Sequence, residues 1–186
     1  MERRSPEAPT PSNPLRWFPE FLQIGRQRLR PQARLLGLSL AIGVIAGLGA
    51  VAFNVACQVV FYYALTVCAG YQPAHPAGEY QMFAEIPVTL NPWMLLLLPA
   101  LGGLVSGFLV YTVAPEAEGH GTDAVIAAYH YHRGNIRPRV PLVKILASAI
   151  TIGTGGSGGR EGPIAQIGAG FGSYLGRLLK LRPLER

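Results

Sequence analysis

Charge is what this sequence has least of. Asp, Glu, Lys and Arg make up 14% of its 186 residues, against roughly 25% in soluble globular domains. No Lys or Arg occurs from Leu35 through His132, and no charged residue of either sign from Leu35 through Ala69. Cysteine is scarce as well. Cys57 and Cys68 lie at or near an apolar run, without His, Asp or Glu at metal-site spacing, and read as packing residues. His130 and His132 stand two apart, so a helix does not put them on one face. No metal and no cofactor are expected.

The charge that is present is unevenly placed. Seven of the 16 Lys and Arg residues fall between Arg3 and Arg34. A net charge of +6 arranged this way reads as membrane topology rather than a nucleic-acid face, because juxtamembrane Lys and Arg favour the cytoplasmic side. Residues 1–34, with Pro6, Pro9, Pro11, Pro14, Pro19 and Pro31, are expected to be a cytoplasmic tail with an interface-lying segment, Trp17 to Leu29. Residues 35–186 are expected to form one all-α membrane domain of tilted and broken helices.

Leu35 to Ala69 would extend about 50 Å as a helix, beyond the roughly 30 Å hydrocarbon core. Gly37, Gly43, Gly47 and Gly49 give its first half a small-residue surface, and Phe61, Tyr62 and Tyr63 are placed to anchor an interface. Gly70 to Thr89, with Glu79, Glu85 and three prolines, reads as a polar loop on the outer side. A second span starts near Asn91 and Pro92 and runs to Val113, with Gly102, Gly103 and Gly107 as a packing face. The following segments are short: a helix from Ala124 to Arg133 capped by Thr122 or Asp123, and an apolar stretch from Leu142 to Ile152. Interrupted segments of this kind line transport sites.

The chemistry concentrates in GTGGSGGREGP, Gly153 to Pro163. Pro163 suits the first turn of a helix capped by Glu161 or Gly162, and the glycines before it expose backbone N–H groups at the positive end of that helix. Partial charges hold an anion without trapping it as a full charge would. Glu161, itself an anion, is the natural competitor for such a place, although a salt bridge to Arg160 is the plainer alternative. Gly153, Gly155 and Gly158 also satisfy G-x-G-x-x-G, but no acidic residue follows about 20 positions on, and Gly159 and Arg160 stand where a P-loop needs Lys and Ser or Thr. A second turn, Gly119 to Asp123, precedes the short helix. Its His120 reads equally as an anion donor or as a structural hydrogen-bonding residue.

The stretches APEAEGHGTDAVIAAYH and PRVPLVKILASAITIGTGGSGGREGPIAQIGAGFG resemble the CLC family of chloride channels and chloride/proton antiporters, with similarity from about Leu35 to Leu179. The resemblance implies that Glu161 is the gating glutamate and that Gly159, Arg160, Gly162, Pro163 and Ile164 surround the outer anion site. It aligns the family's GSGIP motif with Gly119, His120, Gly121, Thr122 and Asp123. His120 thus replaces the chloride-coordinating serine, and Asp123 the proline.

The resemblance reaches only about the first third of the family's membrane domain. The expected function is therefore that of a longer parent: passage of chloride or a similar small anion, with protons if it is an antiporter, and no enzymatic chemistry. That parent is expected to be a multi-pass homodimer in the lipid of the inner (plasma) membrane. The alternative for this chain is a non-transporting membrane fragment with a packing role.

Overall fold

The computed structural model describes residues 17–72, 82–84 and 86–181, and the side chains from residue 36 onward within them. The start of the tail, Glu79 and Glu85 lie outside the described residues. Helix α1 is Trp17–Phe61, followed by a wider π-helical turn, Tyr62–Cys68. Then come α2 (Pro92–Val113), a 3-10 turn (Pro115–Ala117), α3 (Thr122–Tyr131), α4 (Arg139–Gly153) and α5 (Glu161–Leu178). Among the described residues there is no strand, and the all-α reading holds.

The chain divides into two compact units, Met1–Ala41 and Ile42–Arg186. In the first, the backbone is helical from Trp17 onward, with no break setting apart the interface-lying segment that the sequence suggested. All that follows concerns the second unit, except where Leu36–Cys68 is named as a whole.

Leu36–Cys68 and Pro92–Val113 are long and apolar enough to cross a membrane, and only 11% of the most apolar stretch of each is buried within the protein. A soluble core helix would be covered. Here Trp93, Leu96, Leu104 and Phe108 all stand exposed, apolar surface of the kind found where a membrane or another protein covers a helix. The start of α2 follows from local chemistry. Asn91 Oδ1 accepts from the N–H groups of Trp93 (3.2 Å) and Met94 (3.4 Å), and Pro92 occupies the first helical position, where a missing N–H costs nothing.

Two small cores hold the helices together. Val110, Ala114 and Ala117 pack on Val140, Val143 and Ala147, joining α2 and the 3-10 turn to α4. Phe53 and Cys57 of α1 pack on Ala149 of α4 and Ile167 of α5. Small residues set the approach of α1 to α5: a Cβ on Gly49 would lie 2.8 Å from the Phe171 ring, and Gly168 faces Ala46. The glycine faces expected from sequence are only partly used. Gly49 and Gly102 meet neighbours, Gly102 against Thr154, whereas a Cβ on Gly43, Gly47, Gly103 or Gly107 would meet nothing within 4 Å.

Polar groups bridge α2 and α4 as well. Ser106 Oγ donates to the Ala147 carbonyl (3.0 Å), and Thr151 Oγ1 donates to Ser106 Oγ (2.9 Å). Side-chain hydroxyls paired in this way hold one helix against the other.

Candidate anion site

The glycine-rich loop makes a tight exit from α4. Gly155 takes φ +95°, its N–H donates to Ile152 O (3.1 Å), and the Gly156 N–H donates to Thr151 O (2.8 Å). This pair of bonds is the Schellman closure, which needs a left-handed residue at the position Gly155 holds. The chain is thereby turned back to start α5 at Glu161, with Arg160 as its N-cap.

That start differs by one or two residues from the cap at Glu161 or Gly162 read from Pro163. Pro163 is the third helical residue, still within the first turn, where its lack of an N–H leaves no bond unmade. The shift decides which amides are open. Ile164 N–H donates to Arg160 O (3.1 Å), and Pro163 has no N–H to offer. Helix geometry leaves the N–H groups of Glu161 and Gly162 without an intrahelical acceptor.

The second turn is also re-read. Helix α3 begins at Thr122 with Gly121 as N-cap, at φ +104° and without a side-chain cap, so neither Thr122 nor Asp123 plays the capping role. The positive φ at Gly121 suits glycine and so takes the cap position from the residues whose side chains would have filled it.

The fold brings the two turns together. A Cβ on Gly162 would collide with the carbonyl of His120 and lie 2.7 Å from its Nδ1, and a Cβ on Gly121 would lie 2.7 Å from Gly162 O. The starts of α3 and α5 therefore abut, two ends each carrying about half a positive charge. Asp123 and Glu161 stand in their first turns, where a carboxylate offsets that potential.

Beside this junction lies a cavity of about 480 Å³ whose lining includes Gly119, His120, Gly159, Pro163, Ser106 and Lys144. Arg160, Glu161, Gly162, Ile164 and Gly121 are not part of its wall. Glu161 and Ile164 are exposed, and Gly121 and Gly162 are buried in the helix junction. Arg160 is half-buried and its Nη1 donates to Asn54 Oδ1 of α1 (3.2 Å). That bond holds it toward α1, and an ion pair joins Arg137 to Glu116 elsewhere in the unit.

Three residues escaped the sequence reading. Lys144 is 3% exposed, and its ammonium donates to the carbonyls of Ala117 (3.0 Å) and Gly119 (2.6 Å), so it fastens the second turn onto α4 and presents positive charge at the cavity wall. A signal for it existed: Lys144 is the one charged residue from Val140 through Gly159, and a charge inside an apolar helix defaults to function. Gln166, 1% exposed, donates from Nε2 to Glu116 O (2.9 Å) and ties α5 to the 3-10 turn that precedes that second turn. Asn54 is the third, a polar residue in the uncharged run of α1.

Comparison with known proteins fits this geometry. The family model for the voltage gated chloride channel matches residues 102–186, which hold α3, α4, α5 and the whole site except Asn54. An H(+)/Cl(-) exchange transporter, ClcA, of Citrobacter koseri is 32% identical over 159 residues, covering 86% of this chain and 31% of that protein. This chain belongs to the CLC family. The ClcA exchange transporter of Cronobacter sakazakii is 34% identical over 142 residues, covering 76% of the chain and 27% of that protein. A ClcB-like chloride channel protein of Ralstonia nicotianae is 33% identical over 104 residues, covering 56% and 24%. The chain thus spans about a quarter to a third of the length of these CLC relatives. No solved structure matches it.

Proposed function

We propose that the CLC protein to which this chain contributes carries chloride or a similar small anion across a membrane, as a channel or as an anion/proton antiporter. The observation that carries the reading is the junction of His120 and Gly162, which sets two helix N-termini side by side. An anion leaving water needs hydrogen-bond donors and positive potential, and must not be held so tightly that it cannot move on. Open first-turn amides meet both demands, with Lys144 adding charge from behind the turn.

Glu161 is the gate in this reading. As the first residue of α5 its carboxylate has the same attraction to the helix start as the mobile anion, and the two compete. Protonation removes the competitor, and that links anion movement to protons. Gly159, Arg160, Gly162, Pro163 and Ile164 shape the outer anion site around it, and Gly119, His120 and Gly121 contribute to the inner part of the path. The Arg-rich tail, residues 1–34, lies in the cytoplasm and residues 35–186 belong to the membrane domain. The parent is a homodimer in the lipid of the inner membrane.

Chloride flux into proteoliposomes made with the complete protein tests this. Wild type moves chloride with a pH dependence, and Glu161→Gln moves it without one. Flux whose pH response is the same in the two proteins would remove Glu161 from the gate, and a stably inserted protein with no flux would leave only a packing role.

A further inference from the structure

In α1, Asn54 and Gln58 stand one turn apart in a helix otherwise apolar around them. Both are used. Gln58 Oε1 accepts from the Met82 N–H (3.3 Å), and Asn54 Oδ1 accepts from Arg160 Nη1 (3.2 Å) across 106 residues of sequence. The neighbouring residue, Phe53, is fully buried against the core that includes Ile167 of α5, so the backbone carrying Asn54 is fixed relative to α5.

We infer that Asn54 is a positioning residue for anion transport, acting through Arg160; the inference rests on the proposed function of the site. Arg160 is the N-cap of α5, and its carbonyl accepts the Ile164 N–H that closes the first turn. Where its side chain is anchored therefore bears on how the first turn, with Glu161 next in sequence, is presented. An arginine fork holds its direction best when an acceptor fixes one nitrogen, and within a helix bundle a side-chain amide is a suitable acceptor.

The test is a double-mutant cycle on the complete protein. Chloride-dependent flux is measured for wild type, Asn54→Leu, Arg160→Ala and the double variant, with melting temperatures of all four in detergent. Asn54→Leu keeps the branching at Cγ and the number of heavy atoms, and removes the acceptor. It raises the chloride KM several-fold while kcat changes by less than about twofold, and it has no further effect on KM once Arg160 is alanine. Asn54→Asp, which restores an oxygen, lowers KM again relative to leucine if position dominates. An unchanged KM in Asn54→Leu, or an effect that persists undiminished in the Arg160→Ala background, overturns the inference. Wild type without flux would instead sink the transport reading, and the melting temperatures then decide: additive losses from the two single variants overturn the Asn54–Arg160 link.

Discussion

Gly162 of α5 lies directly against the backbone carbonyl of His120, with no room for a side chain between them. Two turns whose contacting residues are 42 positions apart in sequence are thereby made into one site, and the contact depends on a missing methyl group.

Gly162→Ala should therefore be costly. The added Cβ meets backbone rather than the flexible end of a side chain, so the α3 and α5 starts must separate, at about 1–3 kcal/mol. Gly159→Ala, three residues earlier in open space, should stay within about 0.5 kcal/mol of wild type. Thermal unfolding in detergent compares them, and equal losses would contradict the close approach.

Lys144→Met should weaken both the fold and anion affinity. The change leaves the carbonyls of Ala117 and Gly119 without their donor, a loss of about 1.5–3 kcal/mol for bonds to a charged group. It also removes the positive charge at the cavity wall. A raised chloride KM accompanying the lower melting temperature is the expected pair of results; lost stability with unchanged KM would make the lysine purely structural.

Removing the cap of α2 offers a control remote from the site. Asn91→Ala leaves the Trp93 and Met94 N–H groups without their shared acceptor and should cost about 1 kcal/mol. Asn91→Asp or Asn91→Ser should recover most of it, with chloride KM unaltered throughout.

The α2–α4 hydroxyl pair should behave as a unit. Ser106→Ala removes one donor to Ala147 O and the acceptor for Thr151, yet Thr151 Oγ1 can turn its one hydrogen to that carbonyl instead (2.9 Å). The loss should be about 0.6–1 kcal/mol, and the Ser106→Ala, Thr151→Val double variant should lose less stability than the two singles summed if the hydroxyls are coupled.

The apolar spans, the start of α2 and the loop that launches α5 were legible along the chain, because each depends on residues near one another: an uncharged run, Asn before Pro, glycine before a helix. Boundaries slipped where a backbone choice overrode a side-chain preference. Gly121 took the cap position of α3 that Thr122 or Asp123 is chemically suited to fill, and α5 began early enough to use the amide of Ile164. Lys144 carried a visible signal as the lone charge in an apolar segment. The role of Asn54 had none, since its partner is 106 residues away.

By itself the sequence determined that this chain carries two runs long and apolar enough to cross a membrane, that its helices break around glycine-rich turns, and that a carboxylate stands at the head of one of them. These are properties of composition and local spacing. Which turns meet and which carbonyls a buried lysine holds were decided only by the tertiary structure, because those contacts are set by how closely α3, α4 and α5 can pack where side chains are absent.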